Sequence, residues 1–463
     1  MGKKPSHPHE RMSPLELRAA RSLASIYALR MLGLFLILPV FTLYAEQLPD
    51  STPVLIGIAI GIYGLTQAVL QIPYGMLSDR IGRKPVIIGG MLIFAVGSMV
   101  AAEASSLLGI ILGRALQGSG AVAAVLMATT ADLTREDHRL KAMAIIGMTI
   151  GMSFALSMIL GPLLNTFMGV PGIFWLTAIL ALSGVLLTIY WVPTPEKSRT
   201  HRDTAPVPEL LWSVIRDVQL LRLDFGILCL HMVLTATFVA LPLALRDLGG
   251  LPAPDHWMIY LPVMVLAIVA MVPFVILAEN KRKMKQVFVG AVFMVAACEL
   301  ALIWLSHWVF STFLILVVFF TAFNVLEASL PSLVAKQSPP DRKGTAMGVY
   351  SSAQFFGAFL GGFAGGWMYH VAGAAGVFAF CAVSCGLWFL AAVSMNSPRY
   401  LSSFMINVGT VESGRIPELV VQLTQVAGVA EAILLPGDDV AYLKVDLHAL
   451  DREALGKFAV NIP

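Results

Sequence analysis

Twelve times along this chain an apolar stretch of roughly 20 residues recurs between shorter polar segments. A helix of that length measures about 30 Å at 1.5 Å per residue, which matches the hydrocarbon core of a bilayer. Helices satisfy their own backbone hydrogen bonds, so lipid permits the form. The stretches occupy 22–45, 54–77, 85–102, 107–131, 142–164, 173–192, 224–245, 257–278, 286–305, 309–335, 344–369 and 374–395, called spans 1 to 12 below. A very apolar soluble helical protein is the competing reading. Composition rejects it: 57% apolar and 13% charged residues, against roughly 45–50% and about 25% in soluble domains. Met1–Arg21 is polar and basic, unlike a cleavable signal, so span 1 is expected to stay as a helix.

The basic residues alternate in place. Segments before span 1, between the even-numbered spans and their successors, and around 193–223 hold 23 Lys and Arg. The segments on the opposite side hold only Arg246. Under the positive-inside rule both termini are expected in the cytoplasm of a bacterial inner membrane.

The Pro-containing linker 193–223, with a short surface helix expected near Glu209–Val218, divides the spans six and six. The halves echo one another. Leu38–Pro39 recurs as Leu241–Pro242, and Asp79 with its basic followers as Glu279 with its own. Asp137, Arg139, Ala142 and Met143 recur as Asp341, Lys343, Ala346 and Met347. Offsets near 200 argue for a parallel repeat, as in transporters that rock two bundles around a midplane site. Beyond Asn396, strands at Phe404–Val408, Ala432–Leu435 and Ala441–Val445 and helices at Ile416–Val426 and Asp451–Ala459 give a βαββα order. That order suggests a small α/β ferredoxin-like domain at 400–463 with its last strand short or missing. Its first loop, Gly409–Gly414, has no cysteine pair, and Cys229, Cys298, Cys381 and Cys385 lie inside apolar spans as small core residues. No metal is expected.

Gly75-Met-Leu-Ser-Asp79-Arg80-Ile-Gly82-Arg83-Lys84-Pro85 joins spans 2 and 3. A positive-inside loop accounts for its basic residues but not for Asp79, which opposes the dipole of its own helix end, or for the two glycines. Gly75 suits close helix approach and Gly82 a turn with positive φ. The run resembles the cytoplasmic loop signature of the major facilitator superfamily, and the resemblance covers about residues 15–395. It implies two pseudo-symmetric six-helix bundles, in all-α membrane architecture. It also implies a lock in which Asp79 meets the N-terminal end of span 11 near Gly344–Thr345, and Arg83 pairs with Asp132. In span 4, Arg114-Ala-Leu-Gln117-Gly118-Ser-Gly120 resembles the family's second signature, whose arginine is linked to proton transfer. Gly147, Gly151 and Gly161–Pro162 in span 5 are similar to its antiporter signature, although Leu164–Asn165 replace the final glycine pair. Gly357, Gly361 and Gly365 in span 11 have the spacing of close helix packing.

Ionisable residues inside spans are costly and mark function. Arg30, Arg114, His231 and Glu327 fall on spans 1, 4, 7 and 10, which the family resemblance places around a central cavity. Arg30, His231 and Glu327 share a depth of roughly 10–13 Å at 1.5 Å per residue, so contact among them is open. A carboxyl in low dielectric can hold a proton near neutral pH, which suits Glu327; His231 suits the role equally. A static pair of Glu327 with His231 or Arg30 is the competing reading. Gln67, Gln71, Gln117, Asn324 and Gln354 are polar-contact candidates, and Glu299, toward the outer end of span 9, has no assigned role. No phosphate loop, nucleophile elbow or metal cluster points to an enzyme. With the small appended domain, the resemblance narrows to drug/proton-antiporter-like members of the family. Proton-coupled efflux of an unidentified small molecule by a monomer in the lipid bilayer is expected, with the proton as coupling ion, no cofactor and no nucleic acid. Import by a symporter or facilitator, and sensing through the C-terminal domain, are the rivals.

Overall fold

The computed structural model describes residues 12–194, 208–339, 342–396, 401–409, 411–434, 440–446 and 449–459. Among these, nine helices are long and apolar enough to cross a bilayer. Two of them, Lys141–Tyr190 and Lys343–Val393, are broken at Gly169 (φ 66°) and Gly373 (φ 63°), and each supplies two spans. Pro14–Phe35 adds span 1, so the twelve expected spans are all present. A capping box between Ser13 and Glu16 starts that first helix. Span 4 is split into Leu107–Ser119 and Ala123–Asp132. The expected surface helix forms at Pro208–Ile215; the linker before it lies outside the described residues.

Side-chain to backbone bonds show how the broken helices fold back. Ser157 of span 5 donates to the Leu32 carbonyl at 3.1 Å, and Thr177 of span 6 to the neighbouring Gly33 carbonyl at 3.2 Å. Both halves therefore lie along span 1 at one level. Span 7 is flanked likewise: Gly361 of span 11 abuts the Met232 backbone, and Cys381 of span 12 lies 3.9 Å from the Val233 carbonyl. The repeat is a packing register. Residues 153, 157 and 161 meet 28, 32 and 36, as 357, 361 and 365 meet 228, 232 and 236. In that register Asp79 corresponds to Glu279, but Leu38 corresponds to Phe238, so its likeness to Leu241–Pro242 is a coincidence of letters. Pro39 sits in the turn after span 1, whereas Pro242 lies within Val218–Asp247. Asp341 is outside the described residues.

The two bundles meet at the end away from the basic loops, here the far end. Span 2 (Pro53–Ile81) lies directly on span 11 there: a Cβ added to Gly57 would come 2.0 Å from the Gly362 carbonyl oxygen. Gly61 faces Phe359, and Gly64 faces Phe355. Thr42 donates to the Phe238 carbonyl at 3.2 Å, and Arg246, alone among basic residues on its side, pairs with Glu46 across the bundles. Halfway along, Phe154 of span 5 stacks on Phe323 of span 10, with centroids 6.0 Å apart. Toward the basic end of span 2 the neighbour of Gly75 is Ala124 of the same bundle. Among the described residues, the close approaches between the bundles named above lie at the far end and halfway along.

Strands β1 (Ser402–Asn407), β2 (Val429–Leu434) and β3 (Val440–Val445) form an antiparallel sheet in the order β1-β3-β2. Helices Ile416–Gln425 and Arg452–Gly456 complete the ferredoxin-like βαββα unit. β2 starts three residues earlier than expected, and the turn at 436–439 lies outside the described residues. The last strand's expected place is also outside them. Lys444 of β3 donates to the Ala335 and Lys336 carbonyls (2.9 and 3.2 Å) at the end of span 10, where a cation suits the helix dipole. Burial, with Lys343 nearby, pushes its pKa down to about 8. Below that value the docked lysine carries the full cost of burying charge. Between pH 8 and the free-lysine value of 10.5 the docked form sheds its proton first, so docking strengthens as pH rises. Energy transfer between dyes at exposed Gln422 and Lys281 is expected to rise across that window, and Lys444→Met to flatten the slope.

Candidate functional site

In the N-terminal bundle the two guanidiniums converge on one tyrosine. Arg114 donates to the Ala59 and Ile60 carbonyls of span 2 (3.2 and 3.0 Å) and to Gln117 (3.0 Å), which in turn donates to Ser98. Its charge lies 5.3 Å from the Tyr63 ring centroid. Gly118 permits this approach, since an added Cβ would come 2.2 Å from the Tyr63 carbonyl oxygen. The helix breaks just beyond, at Gly120, and the Gly120 carbonyl accepts from Arg30 at 3.4 Å. Arg30 also donates to Tyr63 (2.7 Å) and Gln67 (2.6 Å), and Gln67 donates to Gln71. Arg30 is fully buried, yet Nε and Nη1 have no hydrogen-bond partner, and neither arginine has a carboxylate partner among the described residues.

The C-terminal bundle holds the acids. His231 Nδ1 faces the Ile227 carbonyl at 3.3 Å, which assigns the donor proton to Nδ1 and leaves Nε2 an acceptor. Gln354 of span 11 then donates to His231 Nε2 at 2.8 Å and to Glu327 at 3.4 Å. Glu327 Oε2 lies 3.8 Å from His231 Nε2. The shared depth thus brings His231 and Glu327 together but not Arg30, which Tyr63 and Gln67 hold inside its own bundle. Asn324 is half-buried on span 10 and makes no hydrogen bond among the described residues. Asp224 and Glu299 are further buried acids of this bundle. Tyr63 was not singled out in the sequence because an aromatic within a span carries no distinguishing period.

At the basic end Arg83 is buried, donates to Asp132 (2.8 Å) and Ser78 (2.6 Å), and forms an ion pair with Asp79 (2.5 Å). Gly82 has φ 96°, as the turn requires, and Arg80 is exposed. Asp79 pairs with Arg83 rather than with the Gly344–Thr345 end of span 11. Among the described residues the tight approaches of span 2 to span 11 are at Gly57, Gly61 and Gly64, and Asp79 takes its partner from its own bundle. Gly75 also departs from expectation: an added Cβ would only graze Ala124 at 4.0 Å.

The glycines divide by contact. Gly161, next to Pro162, abuts the Leu36 carbonyl, and Gly357 and Gly361 abut the span 7 backbone at Leu228 and Met232. Gly147 and Gly151 face open space, so close packing does not explain them in this conformation.

Comparison with known proteins agrees with this architecture. The model of the Major Facilitator Superfamily matches residues 23–326 and 223–403. The inner membrane transport protein YajR of Escherichia coli (strain K12) is 47% identical over 96% of this chain and 97% of its own length. Multidrug resistance protein MdtH of Proteus mirabilis is 26% identical over 73% of the chain and 84% of its own length. In fold, a bacterial homolog of the human lysosomal transporter Spinster, solved inward-facing and occupied, superposes with a TM-score of 0.67 at 14% identity, covering 82% and 96% of the two chains. The chain belongs to the major facilitator superfamily, as a multi-pass inner-membrane transporter.

Proposed function

We propose that the protein exports a small molecule in exchange for protons by alternating access, with its basic end and both termini in the cytoplasm. One observation carries this reading: buried guanidiniums in one bundle and acids in the other stand beside a seam whose tight glycine contacts lie at the far end. The charge alternation supports the orientation, and the likeness to a protein named for multidrug resistance supports export. In this orientation the far-end contacts suit an inward-facing state.

The His231–Gln354–Glu327 group supplies a coupling step. A proton taken up at Nε2 turns that nitrogen from acceptor to donor. It then repels the Gln354 amide and attracts Glu327, so span 11 loses its bond to span 7. Span 11 carries Gly362, half of the far-end seal, and loosening it favours the outward-open state. Substrate binding from the cytoplasm and proton release on that side reset the pair.

A thermal-shift ligand screen on purified protein, run at acid and alkaline pH, tests this. A stabilising compound is expected whose shift depends on pH in the wild type and loses that dependence in Glu327→Gln. A pH-independent shift in both forms rules out coupling through this pair. Substrate-loaded right-side-out vesicles separate the rivals: efflux by antiport acidifies the lumen, whereas symport carries protons out with the substrate. The sensor reading instead requires that deletion of 400–463 abolish function while Arg114 and Glu327 are dispensable.

A further inference from the structure

Glu299 takes no part in the step above. It lies on span 9 without solvent exposure and meets the Thr237 hydroxyl of span 7 at 2.6 Å. That hydroxyl also lies 2.7 Å from the Val233 carbonyl, one turn back on its own helix. A hydroxyl owns one proton, and a carbonyl only accepts. With the Thr237 proton on Val233, the contact to Glu299 needs a proton from the carboxyl, so the neutral acid satisfies both bonds at once. The second carboxyl oxygen, Oε2, is buried without a hydrogen-bond partner, which an ionised group tolerates poorly. The titratable groups facing Glu299 are thiols: Cys298 on its own helix and Cys381 and Cys385 on span 12, with Cys229 of span 7 beside Cys385. Among the described residues no basic side chain of spans 7, 8, 10 or 12 pairs with it, and these groups form no metal-binding cluster.

Its position is informative. Thr237 directly precedes Phe238, whose carbonyl accepts from Thr42 across the closed far-end seam. His231 lies six residues along the same helix, about 9 Å toward the basic end.

We infer that Glu299 and Thr237 form a second proton-binding site, loaded when the far end opens and standing in series with the His231–Glu327 pair. The step involves no redox change. The carboxylate takes a proton from far-side water, and the Thr237 O–H turns from Glu299 to Val233; release reverses both. The role in coupling rests on the proton-coupled reading above, whereas the protonated state of Glu299 does not.

Infrared spectroscopy of the purified full-length protein at neutral pH tests the site. A carboxylic-acid carbonyl band is expected in the wild type, lost in Glu299→Gln, retained in Glu327→Gln, and moved to higher frequency in Thr237→Val. Its absence from the wild type, or its persistence in Glu299→Gln, overturns the site; should that variant not fold, an unmoved band in Thr237→Val does so. A spin-label distance between exposed Gln47 and Leu248 tests the role. It is expected to lengthen on acidification in the wild type, with the response at least halved in Glu299→Gln or Thr237→Val. An unchanged response in the variants makes Glu299 a static acid and overturns the inference. A wild type that ignores pH overturns proton coupling instead.

Discussion

Leucine in place of Gly362 is expected to hold the far end open and abolish transport while leaving a folded protein. A Cβ at this position would come 2.3 Å from the Gly57 carbonyl oxygen, and one at Gly57 2.0 Å from that of Gly362. Both obstacles are backbone, so no rotamer change relieves them. The helices must separate, and the Gly61–Phe359 and Gly64–Phe355 approaches along the same line part with them. Small residues give membrane helices their close packing, because between lipid-facing helices van der Waals contact replaces the hydrophobic drive. A shift of about 5.5 kcal/mol carries a two-state equilibrium from 99:1 to 1:99; overpacking typically costs about 1–3 kcal/mol and more where, as here, the obstacle is backbone. Cross-linking of a Glu46→Cys/Arg246→Cys pair checks it, since these residues meet across the seam at the far end. The link should form readily in the parent and fail in Gly362→Leu. Equal cross-linking together with intact transport would sink the idea.

Gly147 and Gly151 make the useful contrast. The same residue type stands on a span at similar spacing, yet leucine there meets open space in this conformation. Sequence spacing identifies which glycines share a face but not whether a partner lies against that face. That contact depends on the conformational state, and one sequence encodes several. The same limit bears on Asp79, which pairs here with Arg83; the partner expected for it on span 11 belongs to another state in the proposed alternating access. What the sequence does carry is what both states share. Span lengths and charge alternation reflect the bilayer in every conformation. The Asp79–Glu279 offset of 200 is that of the packed positions on spans 1 and 7, and the Arg139–Lys343 offset of 204 is that of spans 5 and 11, because both bundles are built to one pattern.

The charged residues were legible by type more than by partner. A buried ion must have a reason, so Arg30, Arg114, His231 and Glu327 stand out in an apolar chain. Depth alone grouped Arg30 with the other two. Its actual direction is decided by the break at Gly120, which frees a carbonyl, and by Tyr63, neither of which has a pattern in one dimension. Glu299 was set aside for lying near the outer end of its span. Its interest arises from the single hydroxyl proton shared between two acceptors, a feature visible only once Thr237 and Val233 are in place.

Loss of Arg83 is expected to destabilise the N-terminal bundle more than any other single change at the basic end. The guanidinium is almost wholly shielded, and the Asp132 side chain it bonds has no solvent exposure. Removing one partner of a buried pair costs about 3–5 kcal/mol, because the remaining charge loses an ion pair that water cannot replace. Asp79 differs: its side chain is 29% exposed, so water solvates it in part, and Arg83 keeps Asp132 when Asp79 is neutralised. Thermal unfolding in detergent should therefore rank Arg83→Met far below Asp79→Asn, with Asp79→Asn near wild type. Adding Asp132→Asn to Arg83→Met should recover part of the loss, since the buried charge is then gone. Transport should rank the variants differently. If Asp79 meets span 11 in a state closed at the basic end, as the family resemblance implies, Asp79→Asn is expected to disfavour that state although the fold is intact. If Asp79→Asn lowers the melting temperature as much as Arg83→Met does, the triad is a single structural unit. Its acid would then have no separate role in closing the basic end.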